Sequence, residues 1–253
     1  MLLVIVLTFL LLAVGFTRYM LTRDRGEREP VGALWMAFGL GACGLVLAGA
    51  IEYLLLPQTI DGTVALKSLA STSLVIAFIE EIVKSVPLIV YIYHKRYFNE
   101  HTDGVIYFAL AGLGFGLPEN VLYTFQFGSD TGMMRLLMTP FFHAATTALI
   151  GYAVIRLKLD GKPVYTLIAT MAGVILIHAL YDFGLFSQRP MLALLSFMIT
   201  LALTGSVFTL LLRARWRDQL VGLSAVGNNS FCRTCGHPNL KRNLYCSQCG
   251  VRA

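Results

Sequence analysis

Glu80 and Glu81 stand side by side in an apolar stretch, with Lys84 one helical turn beyond. Similar intrusions recur along the chain: Glu119 with Asn120, His143, and His178 with Asp182 each interrupt an apolar run long enough to span a membrane. Carboxylates and imidazoles move protons, and amides and imidazoles stabilise oxyanions. Two adjacent carboxylates cannot both ionise easily at low dielectric, which leaves one fitted to take a proton from water. His143 or His178, with Asn120, would then stabilise the oxyanion of a tetrahedral intermediate. No Ser or Cys stands in an evident nucleophile motif, so this set suits hydrolysis by activated water rather than a serine or cysteine mechanism.

Five of these eight residues are acidic or cationic. Facing lipid at the centre of a helix, they would cost roughly 12–17 kcal/mol together, so they are expected to converge inside a bundle. Glu80 and Lys84 share one helix face at i,i+4, as do His178 and Asp182. The chain that must position them has 253 residues, 57% hydrophobic and 13% charged. That excludes a single water-soluble globule, for which about 25% charge is usual. The reading is an all-α membrane protein, a polytopic bundle of seven transmembrane helices near residues 1–17, 31–56, 66–93, 104–127, 134–155, 164–186 and 191–212. Counting about 1.5 Å per residue from the outer helix ends puts Glu119, His143 and His178 roughly 12–14 Å deep, Asp182 shallower and Glu80 near 16–21 Å, a layer in the outer half of the membrane.

Backbone chemistry fits a site there. Pro87, Pro118 and Pro140 lack an N–H and are expected to free the carbonyls of Val83, Gly114 and Leu136. Gly112 and Gly116 form a small face that admits another helix beside Glu119. Thr146 and Thr147, one turn from His143, are its expected partners. Glu52 reads as an interfacial residue and Cys43 as plain packing.

Sixteen of the twenty Lys and Arg fall in alternate connectors and after the last span, while Lys67, Arg135 and Arg189 fall on the other side. By the positive-inside rule the N-terminus is outside and the C-terminus cytoplasmic. Met1 to Phe16 lacks the basic n-region and cleavage site of a signal peptide and reads as a reverse signal anchor. This is a multi-pass protein of the cell membrane, its partner the lipid bilayer. The net charge of +6 reflects that bias rather than nucleic-acid binding.

Residues 1–217 form the membrane domain, 218–230 a linker and 231–253 a small cytoplasmic module. Cys232, Cys235, Cys246 and Cys249 make two Cys-x-x-Cys pairs, each followed by glycine, which suits one tetrahedral structural Zn²⁺ in a reducing compartment. The module resembles the zinc-ribbon tails of microbial membrane proteins, which implies recruitment of a cytoplasmic partner or regulation.

Four ordered motifs, Glu80-Glu81-Ile-Val-Lys84, Gly112-Leu-Gly-Phe-Gly-Leu-Pro-Glu119-Asn120, Phe142-His143-x-x-Thr146 and His178-Ala-Leu-Tyr-Asp182, resemble those of PrsW-type intramembrane proteases. That family is similar, more distantly, to the CAAX prenyl protease and bacteriocin-processing membrane glutamate proteases. In the CAAX group an arginine stands one position later than Lys84, and the zinc ribbon is an addition to the family core. The resemblance covers residues 31–212. It implies cleavage of a membrane-anchored protein substrate near the outer face, as in release of anti-sigma factors, and hence a role in signalling. It also implies Glu80 and Glu81 as the catalytic pair, with Glu119, His143 and His178 completing the site and Lys84, Asn120 and Asp182 supporting it. Glutamate-activated water is the preferred mechanism. Two histidines with carboxylates also make a donor set for catalytic Zn²⁺, and that choice stays open. The main alternative is a transporter, channel or scaffold relaying protons through the same groups, which predicts an inverted repeat with paired broken helices; none is visible. A receptor signalling through the ribbon would account for the tail but not for the buried acids.

Overall fold

The apolar runs fold as helices in a computed structural model that describes residues 2–23, 29–56, 66–128, 135 and 138–227. Among the described residues there are seven helices and no strand: α1 (Leu2–Arg23), α2 (Val31–Leu55), α3 (Leu66–Ile92), α4 (His101–Phe127), α5 (Thr139–Asp160), α6 (Val164–Phe186) and α7 (Pro190–Gly227). The four cysteines of the expected zinc ribbon lie outside the described residues.

Burial makes α4 the axis of the bundle. Of its most apolar stretch 83% is buried, against 17–22% for α2, α6 and α7. A helix apolar on all sides is stable only when surrounded, and α2 and α5 close on it through glycines. A Cβ on Gly41 would stand 1.9 Å from the Ala111 carbonyl oxygen, and one on Gly151 would stand 2.0 Å from that of Gly104. Outward faces carry Trp35, Val46, Leu54, Val90, Phe125, Leu176 and Met191, all exposed. So much apolar surface has no place in water and fits lipid. Four helices, α2, α4, α6 and α7, are long and apolar enough to cross a membrane. Two of the others, α3 and α5, carry charged residues of the kind that lower mean hydropathy.

Several boundaries differ from expectation. The fifth helix begins at Thr139 rather than near 134, so Pro140 sits in its first turn. Its missing N–H lies among the donors any helix start leaves unpaired, so it breaks no bond within α5; Leu136 lies outside the described residues. Pro87 and Pro118 do lie inside α3 and α4, yet both helices continue through them. α1 extends to Arg23, and α7 runs to Gly227, past the expected 212 and through most of the stretch read as a linker. Cys43 is exposed on α2 rather than packed.

The extension of α7 returns to the bundle at the start of α4. Asp218 accepts hydrogen bonds from the backbone N–H of His101 (2.7 Å) and Thr102 (3.0 Å) and from the Thr102 hydroxyl (3.1 Å). It thus caps the α4 N-terminus from another helix, where a negative charge is favourable. The His101 ring spans two acids, with Nδ1 2.7 Å from Asp218 and Nε2 2.9 Å from Asp160. Arg156 and Arg217 also donate to Asp160. Asp218→Ala is expected to lower stability by about 1–2 kcal/mol, read as a lower midpoint in thermal denaturation of the detergent-solubilised protein, while Asp218→Asn keeps part of the cap.

Candidate active site

Four helices bring the expected residues together about 25 Å from the Asp218 clasp, judged by the seventeen to eighteen residues separating His101 from Glu119 on α4 and His143 from Asp160 on α5. Glu80, Glu81 and Lys84 come from α3, Glu119 and Asn120 from α4, His143 from α5, and His178 and Asp182 from α6. All eight are buried.

Lys84 organises the centre. Its ammonium donates to Glu81 Oε1 at 2.7 Å, approaches His143 Nδ1 at 2.9 Å, and lies 3.7 Å from Glu80 Oε2. Phe115 lies beneath it, 4.7 Å from ring centroid to Nζ. An ammonium has only donors, so Nδ1 of His143 must accept, and Nε2 carries the ring hydrogen. That hydrogen points at Glu119 Oε2, 2.6 Å away. His178 Nδ1 lies 2.8 Å from Glu81 Oε1 and donates to it. Its Nε2 faces Glu80 Oε2 and Asp182 Oδ2, each at 3.5 Å. Two carboxylate–imidazole pairs, Glu119–His143 and Glu81–His178, therefore orient the rings.

Aromatic packing fixes the same rings sterically. Phe142 stacks on Tyr181 at 4.0 Å and meets the His178 edge at 5.0 Å, and the two imidazoles lie 5.3 Å apart. Gly112 and Gly116 make this approach possible. A Cβ on Gly112 would stand 2.1 Å from the His143 carbonyl oxygen, and one on Gly116 would stand 2.8 Å from the His143 ring. The glycine face thus serves α5, the helix that carries His143.

Three further observations depart from the sequence reading. Thr147 donates to the His143 carbonyl and not to its ring, while Thr146 donates to that carbonyl and to Glu81 Oε1 at 3.3 Å. Glu52 lies within electrostatic reach of Asp182, Glu119 and Lys84, with a buried Oε1 that has no hydrogen-bond partner among the described residues, so it faces the site rather than a simple interface. Arg135, counted in the sequence only as an outer-side base, donates to Glu119 Oε1 at 2.5 Å and lies over the Tyr123 ring at 3.7 Å. Only its sixteen-residue separation from Glu119, across a polar connector, hid it from sequence reasoning.

Acceptors outnumber donors here. Four carboxylates, Glu80, Glu81, Glu119 and Asp182, meet two permanent cations, Lys84 and Arg135. Among the described residues Glu80 Oε2, Glu81 Oε2 and Asp182 Oδ2 are buried with no hydrogen-bond partner. Such an excess in a low-dielectric interior calls for bound protons or a bound cation. One ligand atom each of Glu80, His143 and His178 lies within 4.8 Å of the others. Two imidazoles and a carboxylate are a known donor set for catalytic zinc, and ligating histidines commonly give their other N–H to a carboxylate. The residues present therefore fit a metal ion.

Fold and site together define a multi-pass membrane protein with a buried array of acids and histidines. A family model described as PrsW family intramembrane metalloprotease matches residues 29–211. The chain is 28% identical to Protease PrsW of Bacillus subtilis over 67% of its length and 77% of that protein, and 30% identical to Protease PrsW of Clostridioides difficile over 64% and 71%. It is 26% identical to Protease PrsW of Shouchella clausii over 78% and 91%. No solved structure matches it. The chain belongs to the PrsW family of intramembrane metalloproteases, and it is a membrane-embedded protease.

Proposed function

We propose that the chain hydrolyses a membrane-anchored protein, an anti-sigma-factor-like substrate being one fit, and that Glu80 takes the proton from the attacking water. The asymmetry among the three glutamates carries this reading. Glu119 accepts on both oxygens, and Glu81 Oε1 accepts from Lys84, His178 and Thr146. Among the described residues, no group hydrogen-bonds to Glu80, which keeps 7% of its surface accessible while Glu81 keeps none. A base needs an open lone pair and access to water. Glu81 orients His178, Glu119 orients His143, and Lys84 with Asn120 supplies donors for the developing oxyanion.

Glu80, His143 and His178 are the residues that would hold a metal ion, which when bound supplies Lewis acidity and a more acidic water. With Glu80 so engaged, Asp182 Oδ2 is an unpartnered carboxylate oxygen placed to take the proton, at the same 3.5 Å from His178 Nε2. In this reading all seven helices cross the membrane, with the Asp218 clasp and C-terminus cytoplasmic and the site in the outer half. The C-terminal cysteines hold a structural zinc in this reading, and so must be removed before a catalytic metal can be read. A chain ending at Gly227 retains Asp218 and loses all four cysteines. Its activity is expected to survive chelation, with Asp182→Asn costing less than about tenfold, if Glu80 is the base. Loss on chelation, restored by Zn²⁺, together with a loss of about 100-fold or more in Asp182→Asn, would move the base to Asp182.

A further inference from the structure

Arg135 is the residue whose placement the catalytic reading leaves unused. It is 9% exposed, and its guanidinium is committed twice, by Nη2 to Glu119 Oε1 and by its face to Tyr123. Glu119 Oε2 in turn receives the His143 Nε2 hydrogen, and His143 Nδ1 receives the Lys84 ammonium. One hydrogen-bonded line therefore runs Arg135, Glu119, His143, Lys84, Glu81, His178. Without Arg135, Glu119 would keep its contact to His143 but lose what stops its carboxylate from rotating. A rotated Glu119 no longer meets the Nε2 hydrogen, and the His143 ring is left with the Lys84 contact at Nδ1 alone to fix its orientation.

We propose, resting on the protease reading, that Arg135 is a positioning residue of the active site: by fixing Glu119 it holds the His143 ring in place, with Nε2–H on Glu119 and Nδ1 turned inward to Lys84. Arg135 acts through Glu119 and does not touch substrate. Partners that hold a site histidine commonly contribute 10–100-fold to activity.

The test uses the full chain in lipid nanodiscs, with ¹⁵N-labelled histidine and His143 assigned by its loss in His143→Gln. Wild type and Arg135→Lys are expected to show the same His143 Nε2–H resonance, shifted downfield by its bond to the Glu119 carboxylate, whereas in Arg135→Met it moves upfield or is lost to exchange. An unchanged Nε2–H resonance in Arg135→Met would overturn the proposal. This arm is decisive even for a chain that cleaves nothing, so failure of the protease reading is told apart from failure of this one. In parallel, initial rates on a tagged single-span protein are expected to fall about 10–100-fold in kcat for Arg135→Met, with KM within twofold and Arg135→Lys largely restored. In a Glu119→Gln background the same substitution should cost less than a further twofold. A multiplied loss there, or a loss carried by KM, would mean that Arg135 contacts substrate and would sink the proposal. Equal folding of the variants is read from their elution as single species and their thermal midpoints.

Discussion

Glu80→Gln is expected to lower cleavage about 10²–10⁴-fold while leaving the thermal midpoint unchanged or raised, and Glu81→Gln to lower both. The size of the first effect is that of a lost general base. Glutamine matches glutamate in shape, and no described group hydrogen-bonds to Glu80, so the exchange weakens only the longer approaches of Lys84 at 3.7 Å and His178 Nε2 at 3.5 Å. It also removes one of four crowded negative charges. Glu81 is different because three donors meet on its Oε1, including a wholly buried ammonium at 2.7 Å. Breaking one side of a buried ion pair costs about 3–5 kcal/mol, because the remaining charge stays buried without compensation. Parallel melting and cleavage measurements on the two variants separate the roles. Equal destabilisation by both would remove the distinction between base and orienter.

A second large effect is expected at Gly112, which takes no part in any proton transfer. A Cβ there would stand 2.1 Å from the His143 carbonyl oxygen and 2.7 Å from Ala144 Cα. Both are backbone atoms, so no flexible side chain can yield, and α5 must move off α4. Overpacking of this kind costs about 1–3 kcal/mol or more. The larger consequence is chemical, since the backbone that must shift is that of His143, and a displacement of about 1 Å can cost on the order of 100-fold in rate. Gly112→Val is therefore expected to lose activity by at least that factor, with a lower thermal midpoint. Gly49, on α2, has nothing within 4 Å of its would-be Cβ, and Gly49→Ala should change neither quantity. Activity in Gly112→Val equal to that of Gly49→Ala would contradict the close approach of α4 and α5.

Much of this site was legible because charge in an apolar run is costly wherever it stands. Glu80, Glu81, Lys84, Glu119, His143, His178 and Asp182 could be picked out one by one, and convergence followed from the expense of leaving them in lipid. The site's charges lower the hydropathy of α3, and His143 with Arg156, Lys158 and Asp160 lowers that of α5, although they form helices of 27 and 22 residues. Partnership was harder to read. Arg135 sits in a polar connector, where arginine is unremarkable, and nothing local ties it to Glu119. Glu52 near the end of α2 looked interfacial because the sequence does not say which way its helix face turns. The threonines after His143 bond its carbonyl, as hydroxyls one turn along a helix commonly do, and the ring's partners come from α3 and α4. Roles within the Glu80–Glu81 pair depend on which oxygens are taken, and only three-dimensional contacts decide that. The position of Pro140 turned on a boundary error of five residues, enough to move it from mid-helix to the first turn.

This buried cluster is proposed to cut a membrane-anchored protein with Glu80 as an essential group. The decisive experiment is purified full-length chain reconstituted in liposomes with a tagged single-span protein, beside the Glu80→Gln variant prepared identically, with product masses measured. A defined product is expected from the wild type, cut within the outer half of the span or its outer flank, and a yield at least about 100-fold lower from the variant. Equal product from the Glu80→Gln chain, or a cut on the side of the Asp218 clasp, would contradict that proposal.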